Sequence, residues 1–242
     1  MAIAAQSGKI LALSVLGGLI AGGILAGMNF VIVQPSTNIV VELVLDELIA
    51  NGEYDEEEFD SQLQWINNSQ KFGSVALGLA AGALIGVAYV IGKSTKRDQI
   101  RDAMVIAGIA WFVLFVVPAV KYPPSALAMF DGEAANVYYA LYSGYLAASG
   151  ISALGISVGF RKIKRKDKSI AMAALYLVAV AAAFFVFPDY ELDSTFPQPV
   201  LNGWRASIAV AMTVFWFAAG ALCGLLWRFS SAKNAKEPRL TT

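Results

Sequence analysis

The sequence predicts an all-α fold, a polytopic transmembrane helix bundle that crosses a bilayer about six times. Composition is the first reason: of 242 residues, 57% are hydrophobic and 15% charged, which suits lipid better than water as the main solvent. Length is the second. Six stretches, roughly 10–33, 73–92, 103–121, 139–160, 170–187 and 207–228, are close to the twenty or so apolar residues a helix needs to cross hydrocarbon, where nothing else satisfies the peptide groups. The apolar run from Ile10 to Val33 exceeds a signal-peptide core and has no A-x-A-like site after it, so it reads as the first span.

Charge is the third reason, because the six-span arrangement sorts it. Net charge is zero, yet fifteen of the eighteen basic residues fall in the segments on one side, the clusters at Lys93–Arg101, Arg161–Lys168 and Arg228–Arg239 together with Lys9. The other side keeps Lys71, Lys121 and Arg205 and carries fourteen of the eighteen acids. The positive-inside rule then puts both termini in the cytoplasm.

Residues 34–72 form the one long extracytoplasmic segment and read as two short helices lying over the spans. Thr37 or Asn38 is placed to cap the first, in which Val40, Val41, Val44, Leu45, Leu48 and Ile49 fall near helical spacing, with a break at Asn51-Gly52. Asp55, Glu56, Glu57 and Glu58 suit the positive end of the second helix, and Phe59, Leu63 and Ile66 share a face. The acidic run reads either as a solvated helix start or as a collector of cations. Asn67-Asn68-Ser69 is an N-glycosylation tripeptide.

Two hairpins follow one plan. Leu79 to Pro118 and Leu146 to Pro188 each run from a glycine-bearing helix through a basic loop to Phe115-Val116-Val117-Pro118 or Phe185-Val186-Phe187-Pro188, which reads either as a parallel repeat or as chance likeness among Ala/Gly-rich membrane helices. Glycines recur four residues apart at Gly18 and Gly22, Gly23 and Gly27, Gly78, Gly82 and Gly86, Gly155 and Gly159, and Gly220 and Gly224, where helix backbones can approach closely within one bundle or against a partner.

The absence of histidine removes the Ser-His-Asp triad, His-ligated zinc and histidine proton relays at once. With a single cysteine, Cys223, no intrachain disulfide forms. No phosphate-loop motif occurs, no basic surface invites nucleic acid, and no Asp or Glu lies well inside a span, so neither an intramembrane enzyme nor a proton-coupled pump is expected, and no resident cofactor. Trp111, Trp204, Trp216 and Trp227 suit interfacial or packing roles. Two proline-stiffened outer loops remain, one from Pro118 to Lys121, Tyr122, Pro123 and Pro124 and on to Asp131 and Glu133, the other from Pro188, Asp189, Glu191 and Asp193 to Pro197 and Pro199. Their carboxylates Asp131, Glu133, Asp189, Glu191 and Asp193 are the candidate metal ligands, since hard oxygen donors suit divalent ions; helix capping is the alternative role.

Val117-Pro118-Ala119 with Tyr122-Pro123-Pro124, and the run Phe215-Trp216-Phe217-Ala218-Ala219-Gly220-Ala221-Leu222-Cys223-Gly224-Leu225-Leu226-Trp227-Arg228, carry a family likeness. The chain resembles CbtA, the probable cobalt transporter subunit. That resemblance implies a multi-pass subunit of a Co²⁺ uptake system in a prokaryotic plasma membrane, acting with other membrane subunits such as a small CbtB-like partner. The alternative is a non-catalytic accessory subunit of a larger membrane complex. The chain departs from the family where His-Pro-Asp is expected, reading Phe187-Pro188-Asp189, so cobalt binding here falls to oxygen or thioether donors.

Overall fold

A computed structural model describes residues 2–92, 98–130, 132–160, 167–190 and 196–236. It is helical throughout, with no strand among the described residues. The elements are α1 (Ala2–Met28), a π-helical turn (Asn29–Val33), α2 (Gln34–Asn51), α3 (Glu56–Gly92), α4 (Gln99–Trp111), a second π turn (Phe112–Val116), α5 (Val117–Lys121), a 3₁₀ turn (Leu127–Met129), α6 (Gly132–Gly159), α7 (Lys168–Val186) and α8 (Gln198–Lys236). Among the described residues six segments are long and apolar enough to cross a membrane: Gln6–Asn51, Glu56–Gly92, Gln99–Lys121, Ala135–Gly159, Lys168–Val186 and Gln198–Ser231. Each contains almost all of one span expected from the sequence.

The segment 34–72 is helical as expected, but it does not form two separate short helices. α2 continues α1 through the first π turn, and the acidic helix is the start of α3. The break falls where the sequence places it: Gly52 has φ +74°, a conformation that favours glycine, and its N–H donates to Ile49 O. Asp55 caps α3 by accepting a bond from Glu58 N–H at 3.0 Å, with Glu56, Glu57 and Glu58 in the first turn. Thr37 and Asn38 lie within a continuous helix and do not start one. Thr37 is buried there, its hydroxyl donating to Val33 O at 2.9 Å.

Both π turns have the same cause. Proline in a helix lacks an N–H and crowds the carbonyl four residues back, which ordinarily ends the helix. Here each wide turn stops two residues before a proline, Pro35 or Pro118, and Gln34 and Val117 donate to Asn29 O and Phe112 O, five residues back. The widened turn absorbs the proline, and the helix continues. The loop expected to begin at Pro118 therefore begins at Tyr122, after α5.

The chain forms two compact units, one of residues 1–38, 63–110 and 206–242, the other of residues 39–62 and 111–205. In the first unit, α1 and α3 meet at glycine. A Cβ on Gly18 would meet Gly78 O and lie 2.7 Å from Gly82 Cα, one on Gly22 would lie 2.7 Å from Ser74 O, and one on Gly86 would lie 2.6 Å from Ser14 Oγ. Gly220 and Gly224 of α8 fit equally closely against α4, where a Cβ would sit 2.7 Å from Ala107 Cβ and 2.6 Å from Ile100 Cα. Gly23, Gly27, Gly155 and Gly159, by contrast, have open space where a Cβ would stand. The glycines of the two proposed repeat halves thus differ in use: Gly78 and Gly82 seat a neighbouring backbone, while Gly155 and Gly159 do not.

A buried polar knot locks α1 to α8. Trp227 Nε1–H donates to Ser14 Oγ at 3.0 Å, Ser14 Oγ donates to Ile10 O at 2.7 Å, and Tyr89 stacks on the Trp227 ring at 4.1 Å. Ser14→Ala strands the indole N–H in an apolar interior, so a loss of about 1 kcal/mol is expected, visible as a lower unfolding midpoint in detergent. An unchanged midpoint would mean that the bond contributes nothing.

In the second unit, α6 and α7 pack around Val113, Val117, Tyr122, Tyr138, Tyr145 and Tyr176. Little of α7 is covered: 6% of its most apolar window is buried, with Val178, Phe185 and Val186 facing outward, as a lipid-facing helix requires.

Candidate functional site

The second unit contains an acidic pocket of about 350 Å³ that the loop carboxylates did not anticipate. It lies where the end of α2, the Gly52 turn and the start of α3 fold back on one another, and Glu47, Asn51, Glu53, Asp55, Glu58 and Gln62 supply its polar wall. Its apolar wall is Leu48, Phe59, Leu127 and Phe130, with Phe59 and Phe130 stacked at 5.1 Å and Tyr54 set edge-on to Phe59 at 5.8 Å. The positive-φ glycine reverses the chain and brings Glu47 near Glu53 and Asp55. No lysine or arginine lines the pocket.

Asp55 spends one oxygen on the helix cap, and Glu58 accepts from Gln62 Nε2 at 3.3 Å. Among the described residues no three carboxylates or thiols converge tightly enough to hold a bare metal ion. Four carboxylates around an open pocket instead suit a hydrated divalent cation, attracted through its water shell. Such a concentration of one charge sign raises local counter-ion concentration by roughly tenfold or more, and salt weakens it over a Debye length of about 8 Å.

The loop motifs read from the sequence fix a second feature in the same unit. Pro123 and Pro124 have no N–H to donate, yet their carbonyls still need partners. Tyr138 OH donates to Pro123 O at 2.9 Å, and Arg205 Nε–H donates to Pro124 O at 2.9 Å. Tyr122, fully buried, donates its hydroxyl to Pro188 O at 2.7 Å, tying the two proline loops together. Burial pushes its phenol above the ordinary range, with Lys121 pulling down and Asp189 pushing up, so it stays a donor at neutral pH. The second π turn adds a further tie. Pro118 has no N–H for Val113 O, and the buried Ser149 hydroxyl donates to that carbonyl at 2.7 Å while bonding Tyr176 OH at 2.7 Å.

Of the candidate metal ligands, Asp189 is the one whose side chain is described, and it is paired with Lys121 Nζ. The Lys121 side chain is 3% exposed, its ammonium 4.3 Å from the Phe184 ring centroid, so Asp189 serves as the counter-charge of a buried cation. Asp131, Glu191 and Asp193, and the side chain of Glu133, lie outside the described residues. Phe187, where the resemblance led histidine to be expected, packs edge-on against Tyr145 at 5.3 Å and covers Gly144. Trp216 is 3% exposed, and its indole N–H has no acceptor among the described residues.

The sequence singled out the acidic run at 55–58 but not its partners Glu47 and Glu53. The signal available was the Asn51-Gly52 turn, which brings acids on either side of it together.

Six membrane-length helices among the described residues, with a carboxylate-lined pocket and proline loops tied by tyrosines, fit a multi-pass membrane protein. The family model described as CbtA, probable cobalt transporter subunit, matches residues 7–228, nearly the whole chain. The chain belongs to that family. No curated protein and no solved structure matches it. The matched stretch includes the acidic pocket, the Tyr122-Pro123-Pro124 loop and the Gly220, Gly224 and Trp227 helix.

Proposed function

We propose that this chain is the multi-pass subunit of a plasma-membrane cobalt importer and that its acidic pocket gathers the hydrated cation on the extracytoplasmic side. The observation that carries the reading is the family match joined to a pocket walled by Glu47, Glu53, Asp55 and Glu58 with no basic residue among its lining. The charge distribution supports the sidedness: the basic clusters gather on one side of the six-span arrangement, which the positive-inside rule reads as cytoplasmic along with both termini, and the acidic pocket falls on the other. Asp131, Glu133, Glu191 and Asp193 would extend the acidic surface, and Asp189 would hold Lys121. No resident cofactor and no catalytic step is assigned to the chain.

A path for Co²⁺ through this chain alone needs polar groups at depth. The apolar stretches carry no Asp, Glu, Lys or Arg apart from Lys121 and Arg228 at their ends. This supports a path shared with other membrane subunits, such as a small CbtB-like protein, with this chain as the collecting and scaffolding member. Extraction in a gentle detergent, followed by mass determination and metal analysis, tests the reading. An assembly larger than the chain, with a small membrane partner and bound cobalt, is expected; a solitary, metal-free monomer would contradict it. A cytoplasm-active reporter fused after Thr242 is expected to be active, and an inactive fusion would reverse the sidedness.

A further inference from the structure

A second cavity, of about 210 Å³, lies in the first unit between the first π turn and α3, lined by Ala26, Asn29, Phe30, Gln34, Asn67, Gln70 and Lys71. Its chemistry is opposite to that of the acidic pocket. Lys71 makes no ion pair among the described residues, and the side-chain amides of Gln34, Asn67 and Gln70 find no partner there. Asn29 Nδ2 donates to Ser74 Oγ at 3.1 Å, which fixes one wall. Lys71 and Asn67 are exposed and Gln34 and Gln70 half-buried, so these donors are open to an outside partner, and together they suit a ligand rich in acceptor oxygens and bearing negative charge.

The position of the cavity along the chain narrows the ligand. Asn29 lies near the end of the first apolar stretch, and Lys71 just before the second, so both fall at a membrane boundary. Phe30 is 71% exposed and Phe72 73% exposed, as side chains against hydrocarbon would be. We propose that this cavity binds the phosphodiester of a membrane phospholipid, with Lys71 Nζ and the amides on the phosphate oxygens and Phe30 and Phe72 against the acyl chains. The π turn contributes by widening the helix that carries Asn29 and Phe30. The tripeptide at Asn67 lies within α3, whose continuous helix places Asn67 in the cavity wall.

Native mass spectrometry of the full chain, stripped in detergent and titrated with phosphatidylglycerol, tests this. Wild type is expected to retain a phospholipid that Lys71→Glu binds about tenfold or more weakly, whereas Lys71→Arg and the control Lys9→Ala retain it. Asn67→Leu with Gln70→Leu keeps the charge, removes two amides and is expected to weaken binding too; it serves as the second variant if Lys71→Glu does not fold. Equal retention by wild type, Lys71→Glu and the double variant overturns the proposal. Displacement of the lipid by millimolar inorganic phosphate, with the same Lys71 dependence, overturns the lipid assignment in favour of a free-phosphate site.

Discussion

Gly18→Leu is expected to abolish accumulation of the folded protein in the membrane, while Gly23→Leu, five residues along the same helix, leaves it near wild type. A side chain at Gly18 would enter the backbone of α3 at Gly78 and Gly82, and backbone, unlike the tip of a flexible side chain, does not move aside. Overpacking in well-packed interiors costs about 1–3 kcal/mol, and a clash with backbone on the partner helix belongs at or above the top of that range. Even Gly18→Ala forces α1 and α3 apart, and it is expected to lower the unfolding midpoint. The contrast with Gly23 matters because general loss of helix-packing glycine would affect both positions. Fluorescence size-exclusion of tagged variants reads the outcome, and equal profiles for Gly18→Leu and wild type would refute the close α1–α3 contact.

The second large effect concerns transport. Replacing Glu47, Glu53 and Glu58 with Gln and Asp55 with Asn removes four negative charges from one pocket and keeps its shape. At limiting external cobalt and low ionic strength, initial uptake is expected to fall by about tenfold, because the local excess of cation disappears. At high salt, wild type and variant are expected to converge, since screening already removes most of the attraction. A deficit that persists unchanged at high salt would point to direct ligation or misfolding in place of electrostatic collection. Asp55→Asn removes the charge but keeps a capping oxygen for Glu58 N–H, whereas Asp55→Ala removes both, so comparing the two separates the roles.

The membrane-spanning helices were legible because lipid imposes a length and an apolar composition that local sequence cannot hide. The turn at Asn51-Gly52 was legible for a similar reason, since few residues other than glycine tolerate φ +74°. Pro118 misled, because the rule that proline ends a helix is local, whereas the π turn before it is completed by a distant group. Val113 O finds its donor on Ser149, thirty-six residues away, and no pattern near Pro118 announces that bond. Glycine spacing identified where close approach was available but not which faces used it: Gly18 and Gly78 are in contact with backbone, and Gly155 is open. The candidate site was the least legible part. Loop carboxylates were conspicuous in sequence, yet the one with a described side chain, Asp189, is committed to Lys121. The acidic pocket instead draws its charges from both sides of a turn, and its floor from Leu127 and Phe130, far along the chain.

The most direct test is cobalt accumulation by cells lacking this gene, at limiting external cobalt, with and without the wild-type chain restored. Loss of accumulation on deletion, with recovery when the chain is restored, is the predicted result. Unchanged cobalt uptake in the deletion strain, with no other cobalt importer present, would contradict the assignment of this chain to cobalt import.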